Sequence, residues 1–296
     1  MEYNIRLFFY LLFKKQDAIC AIDLDTILPA FYISKIKKVK RIYDAHELFC
    51  EMKEVVTRPK VYKWWKRIEK LTVPHFPNGY TVNGHIATEF KNMYGCNYEV
   101  IRNIASYAQP PENRSAEKYI LYQGAVNEGR SFETLIPAMK LINIPLVICG
   151  NGNFYDRSLQ LAKINGVEDR IAFKGMLEPG ALKAFTDGAY IGITLFENNG
   201  LSNYYSLANR FFDYIQSGVP QLCVDYPVYR EINEEFEVAV LITDLSAENI
   251  AAQINNLIND TDRWHAIQQN CINSAKKYNW ENEEKKLICF YKNIFE

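Results

Sequence analysis

Apolar runs and longer amphipathic stretches alternate along most of the chain. From residue 119 onward, short apolar runs typical of buried strands occur at 119–122, 146–149, 171–173, 191–195, 221–224 and 238–241. Stretches with apolar positions at helical spacing separate them, at 133–141, 155–164, 181–184, 209–217 and 229–236. Buried parallel strands joined by crossover helices produce this alternation. The pattern therefore predicts a doubly wound α/β domain.

A second sheet is predicted ahead of this domain, from strand-like runs at 19–22, 39–43, 80–82 and 98–101. A polar, proline-containing segment at 106–118 joins the two sheets. Near the end, Ser246 and either Asp260 or Thr261 are typical N-caps for helices at 247–258 and 262–278, and a last helix is predicted at 282–295. We expect residues 1–106 and 107–280 to form two Rossmann-like domains, followed by a terminal helix at 281–296.

The first predicted sheet is small. A doubly wound domain usually has about five or six strands, with a glycine-bearing turn after the first of them. Here four strands are predicted, and no glycine precedes Gly79. We therefore expect the first domain to lack its opening part in this chain.

The composition excludes several classes of protein. The 296 residues are 48% hydrophobic, which is sufficient for a large core. The longest apolar opening, 7–13, ends at Lys14 and Lys15 and lacks the flanks of a signal peptide, so the expected location is the cytoplasm. Seven separated cysteines and four scattered histidines argue against a disulfide framework and against a metal site. We expect neither a metal nor a cofactor.

Charge is distributed unevenly along the sequence. The first 106 residues contain 17 Lys and Arg against 11 Asp and Glu, whereas the rest contain 17 against 24. Within the basic part, residues 58–70 interleave cations with Tyr62, Trp64 and Trp65. Two interpretations stay open: a helix that lies on an anionic membrane surface, or an ordinary amphipathic helix with a solvated basic face. We find no nucleic-acid-binding motif.

Candidate chemistry lies in the loops that follow the predicted strands, because parallel sheets bind ligands at the carboxyl ends of their strands. His46 and Glu47 come directly after the strand at 39–43. They could orient a hydroxyl or stabilise charge, or His46 could only cap the next helix. Gly150 and Gly152 follow the strand at 146–149, where they permit close backbone approach to a ligand or form only a turn.

The loop after the strand at 119–122 contains Gly124, Asn127 and Arg130 and leads into a predicted helix. Glycine lets the backbone approach a ligand, and an arginine beside a helix amino terminus suits phosphate. The plain alternative is a flexible connection.

A fourth loop leads into the helix at 209–217. Ser206 is predicted to cap this helix, with Arg210 in its first turn. Asn209 and Asp213 are four positions apart and therefore share a helix face, where an acid could accept hydrogen bonds from the hydroxyls of a ribose.

These four loops, in this order, resemble the retaining GT-B glycosyltransferases of the family-4 type. The resemblance extends from about residue 43 to residue 291, and its most telling stretches are 43–47 (YDAHE), 121–130 (LYQGAVNEGR), 173–175 (FKG) and 206–220 (SLANRFFDYIQSGVP). It implies two Rossmann-like domains with a cleft between them. It also implies transfer of a sugar, without a metal and with retention, from a nucleotide-diphosphate donor to an acceptor held by the first domain.

The resemblance assigns a role to residues of the second domain. Arg130 would hold the donor diphosphate, Gly175 and Met176 follow the strand whose backbone faces the base, and Asp213 would hold the ribose. The other expected donor-binding residues are Gly124, Asn127, Gly150, Gly152, Tyr205, Ser206, Asn209 and Arg210.

In the first domain, the resemblance implies that His46 touches the transferred sugar, and we group Glu47 with it as catalytic. Trp280 would open the helix that crosses back to this domain. The reaction would be a front-face transfer in which the leaving phosphate takes the acceptor proton.

The sequence departs from the family pattern at three points. Tyr205 stands where the first acid of the E-x7-E signature is expected, which is similar to the SLPNK branch of the family. Ala125 or Val126 replaces the basic residue usual after the first glycine of the diphosphate loop. The opening strand with its glycine-rich turn has no counterpart.

The expected function is glycosyl transfer to a glycan or lipid-phosphate-linked acceptor in polysaccharide biosynthesis, with peripheral contact at the inner membrane surface as a further expectation. Two alternatives stay open. One is a non-catalytic nucleotide-sugar-binding or partner protein, which would bind donor without turnover. The other is a GT-B-fold sugar-nucleotide epimerase, which would need more acids and histidines around the cleft.

Overall fold

The computed structural model describes residues 2–110 and 117–296, so part of the predicted linker at 106–118 lies outside the described residues. The chain divides into two compact units. Unit 1 contains the chain up to Asn103 together with Asn199–Ser206 and Glu283–Glu296, and unit 2 contains Ile104–Asn198 and Leu207–Asn282. The first boundary lies near the predicted position 106, whereas the sequence did not predict that residues 199–206 belong to unit 1.

The described residues form ten parallel strands, each at or within a few residues of a predicted one. The strands are β1 (Ala18–Ile22), β2 (Lys40–Ala45), β3 (Asn78–Thr81), β4 (Glu99–Val100), β5 (Ile120–Gln123), β6 (Leu146–Cys149), β7 (Ile171–Gly175), β8 (Ile191–Thr194), β9 (Gln221–Val224) and β10 (Ala239–Ile242). The α-helices are α1 (Glu2–Phe13), α2 (Ile27–Lys37), α3 (Lys53–Val56), α4 (Pro59–Thr72), α5 (Gly84–Tyr94), α6 (Phe132–Ala138), α7 (Tyr155–Asn165), α8 (Pro179–Gly188), α9 (Leu201–Tyr204), α10 (Asn209–Gln216), α11 (Pro227–Glu235), α12 (Ala247–Asn259), α13 (Thr261–Ala275) and α14 (Trp280–Phe295). This confirms the predicted α/β class with two parallel sheets.

The sheet of unit 1 has the order β1-β2-β3-β4, and all of its pairs are parallel. Its core is aromatic: the buried ring of Tyr43, on β2, lies about 6 Å from the rings of Phe76, Phe90 and Tyr98. This packing fixes the end of β2, and with it the loop that carries His46.

The sheet of unit 2 has the order β10-β9-β8-β5-β6-β7. The chain lays down β5, β6 and β7 in one direction and then returns to the other side of β5 for β8, β9 and β10. The order therefore reverses between β5 and β8, and doubly wound sheets bind ligands at the carboxyl ends of the strands at such a switch point. The loops that begin at Gly124, after β5, and at Leu195, after β8, flank that crevice.

Helix caps agree in part with the sequence. Ser246 accepts a hydrogen bond from the backbone N–H of Asn249, as predicted, and Asp260 rather than Thr261 caps α13. Helix α1 was not predicted, because its own apolar residues lie on all sides of it and leave no clear 3.6-residue period. Among the described residues, no helix combines the length and apolar character that a membrane span requires.

Candidate functional site

Three loops of unit 2 are tied together at the carboxyl edge of its sheet. The backbone N–H of Gly124, after β5, donates to the carbonyl of Cys149 at 2.9 Å, and that of Gly150, after β6, donates to the carbonyl of Gly175 at 2.7 Å. A Cβ at Gly150 would lie 1.8 Å from the Gly124 carbonyl oxygen, and its φ of 144° also favours glycine. The predicted residues Gly124, Gly150 and Gly175 therefore meet at one edge.

Asn127 holds two of these loops in register. Its Oδ1 accepts the backbone N–H of Asn153 at 3.0 Å, while Oδ1 of Asn153 accepts the N–H of Glu128 at the same distance. A Cβ at Gly152 would lie 2.3 Å from Oδ1 of Asn127. Gly152 and Asn127, both predicted to bind donor, thus serve first to shape the edge.

Two arginines pack on one aromatic ring at this switch point. The guanidinium carbon of Arg130 lies 4.3 Å from the ring centroid of Phe196, and that of Arg210 lies 4.6 Å from the same centroid. Arg210 also lies 4.7 Å from the ring of Tyr122, on β5. Cation–π contacts of this kind fix a guanidinium without neutralising it. The ring thus holds two positive charges beside the glycine loops.

Arg210 is only 8% exposed, and its Nε and Nη2 have no hydrogen-bond partner within the described part of the chain. A buried charge with unsatisfied donors is costly unless an anion pairs with it. Guanidinium donors suit phosphate oxygens, and Nη1 lies beside Gly124, where a Cβ would come within 3.4 Å of it. The arrangement therefore fits a phosphate or diphosphate group.

The helix that carries Arg210 begins differently from the prediction. Ala208, in extended conformation, is the N-cap of α10, and no side chain caps the helix. The predicted cap at Ser206 is wrong, because the extended residue Ala208 separates it from the first turn and places its hydroxyl out of reach of the free N–H groups. Asn209 and Arg210 open the helix as expected.

Asp213 lies one turn further along α10. Its Oδ2 accepts a hydrogen bond from Nε2 of Gln123 at 2.8 Å, and Oε1 of Gln123 accepts the Thr186 hydroxyl at 2.7 Å. Burial raises the pKa of Asp213 to about 6, against the opposing effects of Gln123 and Arg210. A carboxylate that is largely removed from water in this way can accept hydrogen bonds from a ligand.

Asp213 and Gln123 form the polar side of a cavity of about 370 Å³, whose apolar side includes Leu177 and Leu182. Met176, just before Leu177, is 76% exposed, and Gly175 ends β7 with a φ of 64°. Leu177 lines this cavity, whereas the predicted base-facing residues Gly175 and Met176 precede it in the chain and are not part of the lining. The size and mixed lining of the cavity suit a nucleoside.

A second cluster lies in unit 1. Both imidazole nitrogens of His46 face carboxylates: Nε2 lies 3.1 Å from Oδ1 of Asp44 and Nδ1 lies 3.5 Å from Oδ2 of Asp23. The backbone N–H of His46 also donates to Oδ1 of Asp23 at 3.1 Å. These contacts, with Asp23 first, raise the pKa of His46 to about 10. The histidine is therefore a cation at neutral pH and cannot act as a base.

Glu47 accepts a hydrogen bond at Oε2 from the hydroxyl of Ser202, at 3.3 Å. The ring of Tyr205 stacks on that of His85 at 5.1 Å, and its carbonyl accepts Nδ2 of Asn83 at 2.8 Å. All of these residues belong to unit 1, as does Ser206. The structure thus divides the predicted residues into a unit 2 set, which includes Arg210, and a unit 1 set, which includes His46.

Sequence reasoning missed three residues of these sets. Phe196 was predicted only to follow an apolar strand, and Gln123 was predicted only to begin a loop. Asp23 directly follows β1 and has a φ of 54°, in a region that is sparsely populated by residues other than glycine. The rule that selected His46, a polar side chain at a strand end, would also have selected Asp23.

Comparison with known proteins agrees with this geometry. Residues 104–278 match the family described as glycosyl transferases group 1. The chain belongs to this family. A curated relative, an uncharacterized glycosyltransferase of Methanocaldococcus jannaschii, is 25% identical over 187 residues, which are 60% of this chain and 45% of the relative. The chain therefore spans about half the length of that curated relative.

Solved structures show the same GT-B fold. A TarM variant from S. aureus, in complex with Fondaparinux, alpha-GlcNAc-glycerol and UDP, has a TM-score of 0.76 at 15% identity over 96% of this chain and 58% of TarM. HepE from Anabaena, in complex with UDP, has a TM-score of 0.76 at 14% identity over 99% of this chain and 82% of HepE. Sucrose-phosphate synthase from Thermosynechococcus elongatus has a TM-score of 0.76 at 15% identity over 99% of this chain and 77% of the synthase. At these identities the likeness concerns the fold alone.

Proposed function

We propose that this chain binds a nucleotide-diphosphate sugar in unit 2 and transfers the sugar to a glycan or lipid-phosphate-linked acceptor. One observation carries the proposal: Arg210 is a buried cation at the switch point of a doubly wound sheet, and its Nε and Nη2 have no hydrogen-bond partner among the described residues. Membership of the glycosyl transferases group 1 family supports it. Because HepE and TarM were each solved with UDP, a uridine donor is the first to test.

The two ends of the donor would bind to different groups. The diphosphate would lie against Arg210 and Arg130, with the N–H groups at the start of α10 as further donors. The nucleoside would enter the cavity beside Asp213. Its ribose hydroxyls would donate to the carboxylate there, and its base would pack against Leu177 and Leu182.

Catalysis would depend on the leaving group. As the bond to the anomeric carbon breaks, negative charge grows on the departing diphosphate, and the two guanidinium groups stabilise it. Their packing on Phe196 means that little reorganisation is needed at that moment. We propose retention by a front-face reaction without a metal, in which the leaving phosphate takes the acceptor proton. His46 would present its positive charge to the transferred sugar, since both of its ring nitrogens face carboxylates, and Glu47 would assist it.

A lipid-phosphate-linked acceptor would be presented at a membrane. We therefore include peripheral contact of unit 1 with the inner membrane surface in the proposal. The excess of Lys and Arg in the first 106 residues is consistent with that contact.

The test has two stages on the same purified chain. Calorimetric titration of the parent chain with UDP and with GDP measures donor binding. Lys163→Ala, on the exposed side of α7, is a control that should bind as the parent does. Release of UDP or GDP from a panel of nucleotide sugars, with and without glycan acceptors, then measures turnover. Binding with turnover supports the proposal. Binding without turnover assigns the chain to the non-catalytic alternative, and absence of binding to either nucleotide overturns the donor site.

A further inference from the structure

Helix α4 of unit 1 separates two surfaces of opposite character. On one flank lies an apolar groove of about 560 Å³ between α1, α2 and α4, lined mainly by Ile5, Phe8, Phe9, Tyr32, Trp64 and Ile68. On the other flank lies a basic pocket of about 340 Å³, lined by Tyr62, Lys63, Lys66, Arg67 and Lys70. The sequence indicated a mixed basic and aromatic helix, but it did not show that the two kinds of side chain are sorted to its two sides.

The apolar flank is unusually exposed. No residue of α1 is buried, although nine of its twelve residues are Leu, Ile, Phe or Tyr. Phe9 is 53% exposed, Phe13 is 82% exposed and Trp64, across the groove, is 62% exposed. A helix that is apolar on all sides is normally covered.

The basic flank lacks compensating charge. Lys60, Lys63, Arg67 and Lys70 form one exposed stripe at intervals of three and four residues, and none has an ion pair within residues 2–110 and 117–296. The one acid of α4, Glu69, is 2% exposed and binds Lys66 at 2.7 Å. The stripe therefore presents four positive charges beside an apolar groove.

We propose that this face, the α1/α4 surface formed by Phe9, Phe13, Trp64 and the stripe of Lys60, Lys63, Arg67 and Lys70, docks on an anionic lipid bilayer. Aromatic side chains favour the boundary between acyl chains and headgroups, and adjacent cations pair with anionic headgroups. Trp64 stands next to Lys63 in the chain, at the line where the two flanks meet.

A second copy of the chain fits this face less well. A two-fold contact brings the same patch of both subunits together, so that the four cations of one copy would face those of the other. An anionic bilayer supplies apolar cover and negative charge at once. The inference rests on the proposed function, in which the acceptor lies at a membrane. Because lipid binding is measured without nucleotide or acceptor, its failure can be distinguished from a failure of the proposed function.

The experiment is vesicle flotation of the full chain at low and high salt. Vesicles of neutral phosphatidylcholine are compared with vesicles that contain about 30% phosphatidylglycerol, a fraction chosen to give the negative surface potential of an anionic leaflet. We expect binding to the anionic vesicles that weakens with salt. Lys63→Glu with Arg67→Glu should weaken partitioning at least tenfold, since each cation near the surface contributes roughly fivefold. Phe9→Ala with Trp64→Ala should also weaken it, but with little change in the salt dependence.

Matched controls come from unit 2. Lys140→Glu with Lys163→Glu makes the same change of charge at exposed sites that have no ion pair among the described residues, and Ile164→Ala removes an apolar side chain that is 71% exposed. These variants should bind vesicles as the parent does, and circular dichroism checks the fold of all of them. Equal binding to neutral vesicles, equal loss in the controls, or no binding to either vesicle overturns the inference. So does a lipid-free dimer, in sedimentation velocity, that Phe9→Ala with Trp64→Ala dissociates.

Discussion

Nε2 of His46 lies 3.1 Å from Oδ1 of Asp44, while the other ring nitrogen faces Asp23. Each ring nitrogen therefore lies beside a carboxylate, which favours the doubly protonated, charged ring. Because the pKa of His46 is raised to about 10, the imidazolium form prevails through the physiological range. The cluster thus supplies a positive charge that is held between two carboxylates.

Replacing Asp23 with Asn should lower the pKa of His46 substantially, because the first of its two carboxylate partners becomes neutral. We expect the imidazole to titrate closer to its ordinary value of 6.5. The measurement is an NMR titration of the His46 ring nitrogens. Asp25→Asn, two residues further along the same loop, is the matched control and should leave the titration unchanged. A His46 pKa that stays near 10 in Asp23→Asn would contradict this assignment.

The same shift predicts how stability depends on pH. Because the folded-state pKa of His46 is raised, its contribution to stability is fully present below about 6.5 and is lost as the pH rises through about 10. Thermal unfolding of the parent and of Asp23→Asn, measured between these limits, should converge toward the alkaline end. A difference in Tm that does not shrink with pH would argue against the charged pair.

Asp213→Asn should stabilise the ligand-free protein while weakening nucleotide binding. The folded-state pKa of Asp213 lies above its ordinary value of 3.8, so ionisation of the buried carboxyl costs free energy once the pH exceeds that value, and the cost reaches its full size above about 6. Removing it should raise the free energy of unfolding at pH 7 by about 1 to 3 kcal/mol. Chemical denaturation and UDP titration on the same samples measure both effects. A loss of stability together with unchanged affinity would contradict the role given to this residue.

Arg210→Met should weaken UDP binding about 10- to 100-fold, because charge-assisted hydrogen bonds to the diphosphate are lost. The folded protein should tolerate the change, since the substitution removes a buried charge whose Nε and Nη2 lack partners within the described residues. Calorimetry gives the affinity and thermal unfolding gives the stability. Arg157→Met, at an exposed position of α7, is the control and should change neither quantity. Unchanged affinity in Arg210→Met would remove the main support for the donor site.

Gly150→Ala should destabilise unit 2 by about 2 kcal/mol or more, because the new methyl group meets the Gly124 carbonyl oxygen and the backbone φ is unsuitable. Gly180→Ala, where a Cβ meets nothing within 4 Å, should change stability by less than about 1 kcal/mol. Chemical denaturation of the two variants compares them directly. Equal effects would show that the three glycine loops are less tightly packed than the hydrogen bonds between them indicate.

The fold was largely predictable because the strands of unit 2 are continuous apolar runs. In β6 and β9 all four residues are buried, and both strands match the predicted bounds. The glycines were predictable because close approach at a strand end requires them. The aromatic support for Arg130 and Arg210 was not, since Phe196 is distant in sequence from Arg130 and looks like part of an apolar strand. Nor could the cap at Ala208 be foreseen, because residues 206–208 contain a good capping residue that the backbone does not use.

The division of the chain into units has a consequence for protein engineering. The polypeptide passes from one unit to the other after Asn103, Asn198, Ser206 and Asn282, so neither unit corresponds to a single stretch of the gene. A chimera that exchanges unit 2 with that of another family member therefore needs four junctions rather than one. The eight-residue segment Asn199–Ser206 would have to come from the same parent as unit 1. Cutting the chain at residue 103 would separate this segment from unit 1 and keep it with unit 2.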